Sequence, residues 1–110
     1  MADFYSHEVI KKRQRMRELK PELAKAFAEF SQLVFKDAAL SSKVKNLIAV
    51  AVAHSTQCPW CIDGHTRRAK ELGATDEEIA EAIFVAMEMR AGGAYTHSAI
   101  AMTSAETAKG

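Results

Sequence analysis

The chain has 110 residues, enough for one domain, and its 15 Lys and Arg against 14 Asp and Glu leave a net charge of +1. That balance provides no global field for a polyanion, so nucleic acid is not expected as a partner. Of the apolar residues 20 are Ala and only 23 are Leu, Ile, Val or Phe. Ala forms helix well but buries little area, which predicts a helical protomer that oligomerises to complete its core.

In chain order, Ser6 to Lys20 is charged with a narrow apolar stripe at Val9, Met16 and Leu19, and is expected to be one helix ended by Pro21. Leu23, Phe27, Phe30 and Val34 then step by four, three and four, the spacing of one buried helical face. Ser41 or Ser42 can cap a third helix carrying Val44, Leu47, Ile48 and Ala51 on its inner face and running toward Gln57. Cys58 precedes Pro59, and a residue before proline is pushed out of the helical region. The chain should therefore break at Cys58 and restart with Pro59 as the first helical residue. That helix runs to Gly73, which suits a left-handed residue after a helix end. Thr75-Asp76-Glu77-Glu78 reads as a capping box opening a helix with Ile79, Ile83, Ala86 and Met87 inward. Gly92-Gly93 is expected to stop it, with a last helix from about Ala94 and a frayed end from Glu106 to Gly110. No window alternates as a strand does. The expected fold is all-α, about six helices in a single domain over 1–110.

The opening residues lack the basic and apolar regions of a signal peptide, and the longest apolar run, Leu47 to Ala53, is far short of the roughly 20 residues a spanning helix needs. No membrane partner is expected, and the location expected is cytoplasmic. Two Cys in such a chain point to catalysis or metal binding before a permanent staple.

Cys58-Pro59-Trp60-Cys61 is a C-x-x-C motif at a helix start, with His65 four residues beyond the second Cys. The positive helix N-terminus stabilises a thiolate, an imidazole can move its proton, and residues i and i+4 share a face. Two residues between the sulfurs let them close a small reversible disulfide. A cycling dithiol follows, needing no prosthetic group. His54, four residues before Cys58, is a second candidate proton carrier. His54, Cys58, Cys61 and His65 also form H-x₃-C-x₂-C-x₃-H, but on one helix they would spread over about 16 Å, too far for one tetrahedral zinc. Only the break at Pro59 could gather them, and no metal is expected. The bland alternatives are two inert buried thiols, a helix-end His54, Asn46 as polar packing, Trp60 shielding the disulfide, and Tyr95 and His97 as inter-subunit contacts. The basic run from Lys11 to Lys20 reads as a solvated or inter-subunit helix, and Met87 and Met89 as core filler.

With these motifs in view, the stretch from about 40 to 91 resembles the AhpD-like, carboxymuconolactone decarboxylase superfamily. The resemblance rests on Leu47 to Ala53, on Cys58 to His65, and on Leu72-Gly73-Ala74-Thr75-Asp76-Glu77-Glu78-Ile79. It implies an AhpD-like helical bundle that assembles into dimers, trimers or hexamers; a trimer or hexamer is expected here. In the two-Cys branch it implies reduction of hydroperoxides, with an antioxidant role. Carried onto this chain, Cys61 would be the peroxidatic thiolate, Cys58 would resolve its sulfenate as a disulfide, and His65 would belong to the proton relay. An external dithiol or disulfide reductant would recycle the pair. Two positions depart from the family pattern. The relay glutamate expected twelve residues before the first Cys is Asn46, and the histidine expected before the second Cys is Trp60. His54 could supply the proton step that an amide cannot. The alternatives are a lactone-processing enzyme of the decarboxylase kind, with His65 as acid or base, and a non-catalytic redox-sensing oligomer.

Overall fold

The computed structural model describes residues 4–108, which hold six helices and no strand. Met1 to Asp3 and Lys109 to Gly110 lie outside them, including part of the end expected to fray; the helix there reaches Thr107.

The N-terminal helix predicted over Ser6 to Lys20 is two pieces, α1 (His7–Ile10) and α2 (Arg13–Leu19). Ser6 Oγ caps the first by accepting the Val9 N–H at 3.2 Å. The division is a local tightening: the N–H groups of Lys12, Gln14 and Arg15 each bond to a carbonyl three residues back, at Val9, Lys11 and Lys12. Pro21 starts α3 (Pro21–Phe35) at a position where a missing N–H is harmless.

Ser41, with its Oγ on the Val44 N–H at 3.1 Å, caps α4 (Ser42–Thr56). Gln57 ends that helix in the left-handed region, φ 59°, which turns the chain sharply into Cys58. A non-glycine residue there costs about 1 kcal/mol. Pro59 opens α5 (Pro59–Glu71), and Gly73 follows with φ 96°, its N–H on the Lys70 carbonyl. The Thr75 capping box starts α6 (Asp76–Thr107) with both reciprocal bonds made. The Thr75 N–H and then Lys43, at 2.9 Å, hold the Glu78 carboxyl below its ordinary range, tying α4 to α6.

The stop predicted at Gly92-Gly93 is absent. Neither glycine takes a positive φ, so α6 continues through them for 32 residues, about 48 Å. Glycine weakens a helix interior but ends it only when the chain adopts the left-handed conformation.

α4 lies between α5 and α6, and the small core at their junction is Val50, Ala53, Ala69, Ala74 and Ala86. The inner face of α4 is Asn46, Val50 and Ala53, whereas Val44 and Ile48, expected inside, face out. α3 contacts the rest sparingly, and its predicted buried face is open in the single chain: Phe27 is 71% and Leu23 69% exposed. Met87 and Met89 are likewise exposed, not core. The radius of gyration is 19.0 Å, against about 13 Å for a compact chain of this length. The accessible surface is 8955 Å², against about 6,000 Å² for a compact monomer of this mass. No helix of the described residues is long and apolar enough to cross a membrane.

Candidate functional site

The site forms where the start of α5 meets the first half of α4 and the end of α3. Proline at the first helical position forces Cys58 into an extended conformation, φ −103° and ψ 100°, so it becomes the N-cap. Its Sγ accepts the Cys61 N–H at 3.3 Å. Cys58 and Cys61 are joined as a disulfide, with Cα atoms 5.3 Å apart. The amide at the helix end is therefore placed to stabilise a Cys58 thiolate once the bond is reduced.

His65 is one turn beyond Cys61 on the same face. Its Nδ1 lies 2.9 Å from Asn46 Oδ1, across 19 residues of sequence. Asn46 is 2% exposed, and its Nδ2 donates to the Ser42 carbonyl at 2.8 Å. That second bond fixes the amide, because the flipped form would put two acceptors against each other. The Oδ1 must then accept, so Nδ1 of the neutral imidazole carries the proton and Nε2 is the free base. Phe35 stacks on the ring, with centroids 4.8 Å apart at 24°. Partial burial pushes the His65 pKa below its ordinary 6.5, keeping the ring neutral and basic at pH 7.

Two cavities share Cys61, His65 and Phe35. One, of about 700 Å³, carries charged and polar side chains in its lining, among them Asn46 and Arg68, beside Trp60; the other, of about 390 Å³, is apolar, with Val34, Ile48 and Val52. Cys58 and His54 line neither. His54 is half-buried at the end of α4, with Nδ1 2.8 Å from the Val50 carbonyl of its own helix. Asp63 points elsewhere, paired with Arg67 at 2.9 Å. Trp60 leans on Tyr5, centroids 5.4 Å apart, and its buried Nε1 finds no hydrogen-bond partner among the described residues. Tyr95 and His97 lie exposed on α6, away from both cavities. Among the described residues, no three His, Cys, Asp or Glu side chains gather closely enough to hold a metal ion.

Sequence reasoning paired Cys61 with His65 and placed Asn46 at the relay-glutamate position, with polar packing as its bland alternative, but it did not foresee the Asn46–His65 bond and missed Phe35. Among the described residues Asn46 is the only buried polar one, set in the apolar stretch of α4, a usable signal. Phe35 sits one position off the periodic stripe of α3, so only the tertiary contact reveals it.

Comparison with known proteins agrees with this geometry. The carboxymuconolactone decarboxylase family model matches residues 21–104. A protein of the cox locus of Paracoccus denitrificans is 62% identical over 73 residues, and one from Cupriavidus necator is 36% identical over 72. Each match covers 66% of this chain, and the chain spans about two thirds of these relatives, 66% and 64% of their lengths. An alkyl hydroperoxide reductase of Mycobacterium tuberculosis is 47% identical over 36 residues, 33% of this chain and 10% of that one. Among solved structures, a carboxymuconolactone decarboxylase family protein from Legionella pneumophila aligns with TM-score 0.69 and 38% identity over 74% of this chain and 73% of its own. A protein from Methanobacterium thermoautotrophicum aligns with TM-score 0.71 and 40% identity over 77% and 97%. With a family model covering most of its length and relatives of the same fold, the chain belongs to the carboxymuconolactone decarboxylase family.

Proposed function

We propose that the protein is a cytoplasmic thiol peroxidase that reduces hydroperoxides with the Cys58–Cys61 dithiol and is recycled by an external dithiol. The observation that carries this reading is the disulfide at the start of α5, one turn from an imidazole locked with Nε2 free. The match to an alkyl hydroperoxide reductase supports the substrate class. In the reduced protein, His65 Nε2 takes the Cys61 thiol proton. The thiolate attacks the distal peroxide oxygen, forming S–O and breaking O–O, and the leaving alkoxide takes the proton back. Cys58, its thiolate favoured by the Cys61 N–H, then displaces hydroxide from the Cys61 sulfenic acid to form the disulfide, and the hydroxide takes up the proton that the Cys58 thiol released, leaving as water. A dithiol donor returns two electrons and two protons by exchange. His54 has no step here; a His54→Ala variant that lost activity would restore it to the relay.

The same reading has the protomer assemble with copies of itself, as a trimer or hexamer. About 3,000 Å² of surface beyond that of a compact monomer, together with exposed large apolar side chains on α3 and α6 such as Leu23, Phe27, Phe84 and Met87, supports this.

The test is the rate of thiol loss from reduced protein mixed with hydrogen peroxide or cumene hydroperoxide. We expect both thiols to vanish well above the rate of free cysteine, no reaction in Cys61→Ser, and a trappable sulfenic acid in Cys58→Ser. Rates no faster than free cysteine would sink the proposal. The family model also supports lactone processing with His65 as acid or base, and that activity would survive Cys58→Ser.

A further inference from the structure

The two cavities that meet at Cys61 differ sharply in chemistry, and the difference bears on what the site accepts. On α5, Cys61, His65 and Arg68 step by four and three along one face, continued by Leu72 at the helix C-cap, so the redox centre and a guanidinium share a wall of the larger cavity. Gly64, also in that wall, has open space where a Cβ would stand. Arg13 reaches the same cavity from α2, and Lys36 from the end of α3. Against these three cations stands one lining carboxylate, Asp37, whose Oδ1 is taken by the Ser42 N–H at 2.7 Å. Arg68 shares its charge with Glu71 at 3.0 Å on the outer surface, while Arg13 bonds the neutral Ile10 carbonyl at 3.2 Å. The smaller cavity has an apolar wall of Val34, Ile48, Ala49 and Val52, and the ammonium of its single cation, Lys45, is directed to the Lys36 carbonyl at 2.7 Å.

We propose that the substrate is an amphiphilic acid whose hydroperoxide lies between a carboxylate and an apolar chain, as in an oxidised unsaturated fatty acid. The carboxylate sits with Arg13 and Arg68, the alkyl end lies on the Val34–Ile48–Val52 wall, and the peroxide between them meets Cys61. Arg13 and Arg68 are then specificity-determining residues, one of them contributed by a helix read from sequence as solvated or inter-subunit. The chemistry is that given above: the acid hydroperoxide becomes the hydroxy acid, the dithiol becomes the disulfide, and water leaves.

This inference rests on the peroxidase reading, and its test separates the two. The rate of thiol loss is measured with linoleic acid hydroperoxide and with its methyl ester, both below micellar concentrations, in wild type and in the Arg13→Gln/Arg68→Gln double variant. The wild type should prefer the acid by about tenfold, as expected for a charge-assisted pair at a partly exposed site. The preference should fall toward one in the double variant, and in wild type as salt is raised, which needs no variant. Equal rates on acid and ester in wild type, or a preference unchanged by both substitution and salt, would overturn it. If neither hydroperoxide oxidises the thiols, the peroxidase reading fails, and binding decides the charge assignment alone. Trp60, the only Trp, lines the larger cavity. Linoleic acid should quench its fluorescence in the oxidised protein at concentrations at least fivefold lower than methyl linoleate does. Equal affinity overturns the inference.

Discussion

Replacing Asn46 tests the geometry of the site directly, because one buried amide sets the tautomer of His65. In Asn46→Leu the Nδ1–H loses its acceptor, and a buried unpaired donor costs about 1–3 kcal/mol, the lower end applying to a half-buried ring. A loss of about 1 kcal/mol corresponds to about 4 °C in Tm for a chain of this size. It also frees the ring to place its proton on Nε2, so the rate of peroxide-driven thiol loss should fall about fivefold, the factor a net bond of about 1 kcal/mol represents. Asn46→Asp keeps an acceptor against Nδ1 but adds a negative charge beside the ring, which favours the imidazolium and raises the histidine pKa. The sign of the pH dependence should then reverse. In the wild-type oxidised protein His65 titrates below 6.5, so its contribution to stability is present above 6.5 and lost as pH falls through the folded value. In Asn46→Asp the folded value lies above the unfolded one, so the contribution is full below 6.5 and lost as pH rises through the raised value. The assays are thermal unfolding of the oxidised protein from pH 5 to 8 at fixed protein concentration, imidazole nitrogen shifts by NMR for the tautomer, and stopped-flow thiol loss against pH. Asn46→Leu with the wild-type tautomer and rate, or Asn46→Asp with an unshifted pH profile, would refute the assigned role.

Phe35→Ala should raise the His65 pKa back toward 6.5 in the oxidised protein, because burial is what lowers it and Phe35 covers one face of the ring; an unchanged NMR titration would show the covering to lie elsewhere. Thr75→Ala breaks the capping box of α6 and should cost about 1 kcal/mol of stability while leaving the thiol-loss rate as it was, measured by unfolding and stopped flow in parallel. Phe27→Glu places a charge on the open apolar face of α3; sedimentation should show a smaller species whose Tm depends less on protein concentration, and an unchanged sedimentation coefficient would remove that face from the interface.

The local signals read from the sequence were strong wherever a single residue type forces the backbone. Pro59 put Cys58 at an N-cap, Gly73 took the left-handed position, Thr75 and Glu78 made their reciprocal bonds, and Ser41 capped α4. Each depends on two or three neighbouring residues, so the chain by itself determined them, together with the all-α class and the pairing of Cys58, Cys61 and His65 at the start of one helix. The predicted break at Gly92-Gly93 failed because glycine permits a turn without requiring one, and nothing in the tertiary structure pulls the chain out of α6. Periodicity identified an apolar face on α3 without saying what covers it, and within one protomer that face is open. Only the tertiary structure decided that Asn46, 19 residues from His65, sets its tautomer, that Phe35 caps its ring, and that Arg13 and Arg68 charge a cavity at Cys61. Those contacts depend on the crossing of α3, α4 and α5, and helix crossings are set by side-chain packing summed over whole faces, information that no short stretch of sequence carries.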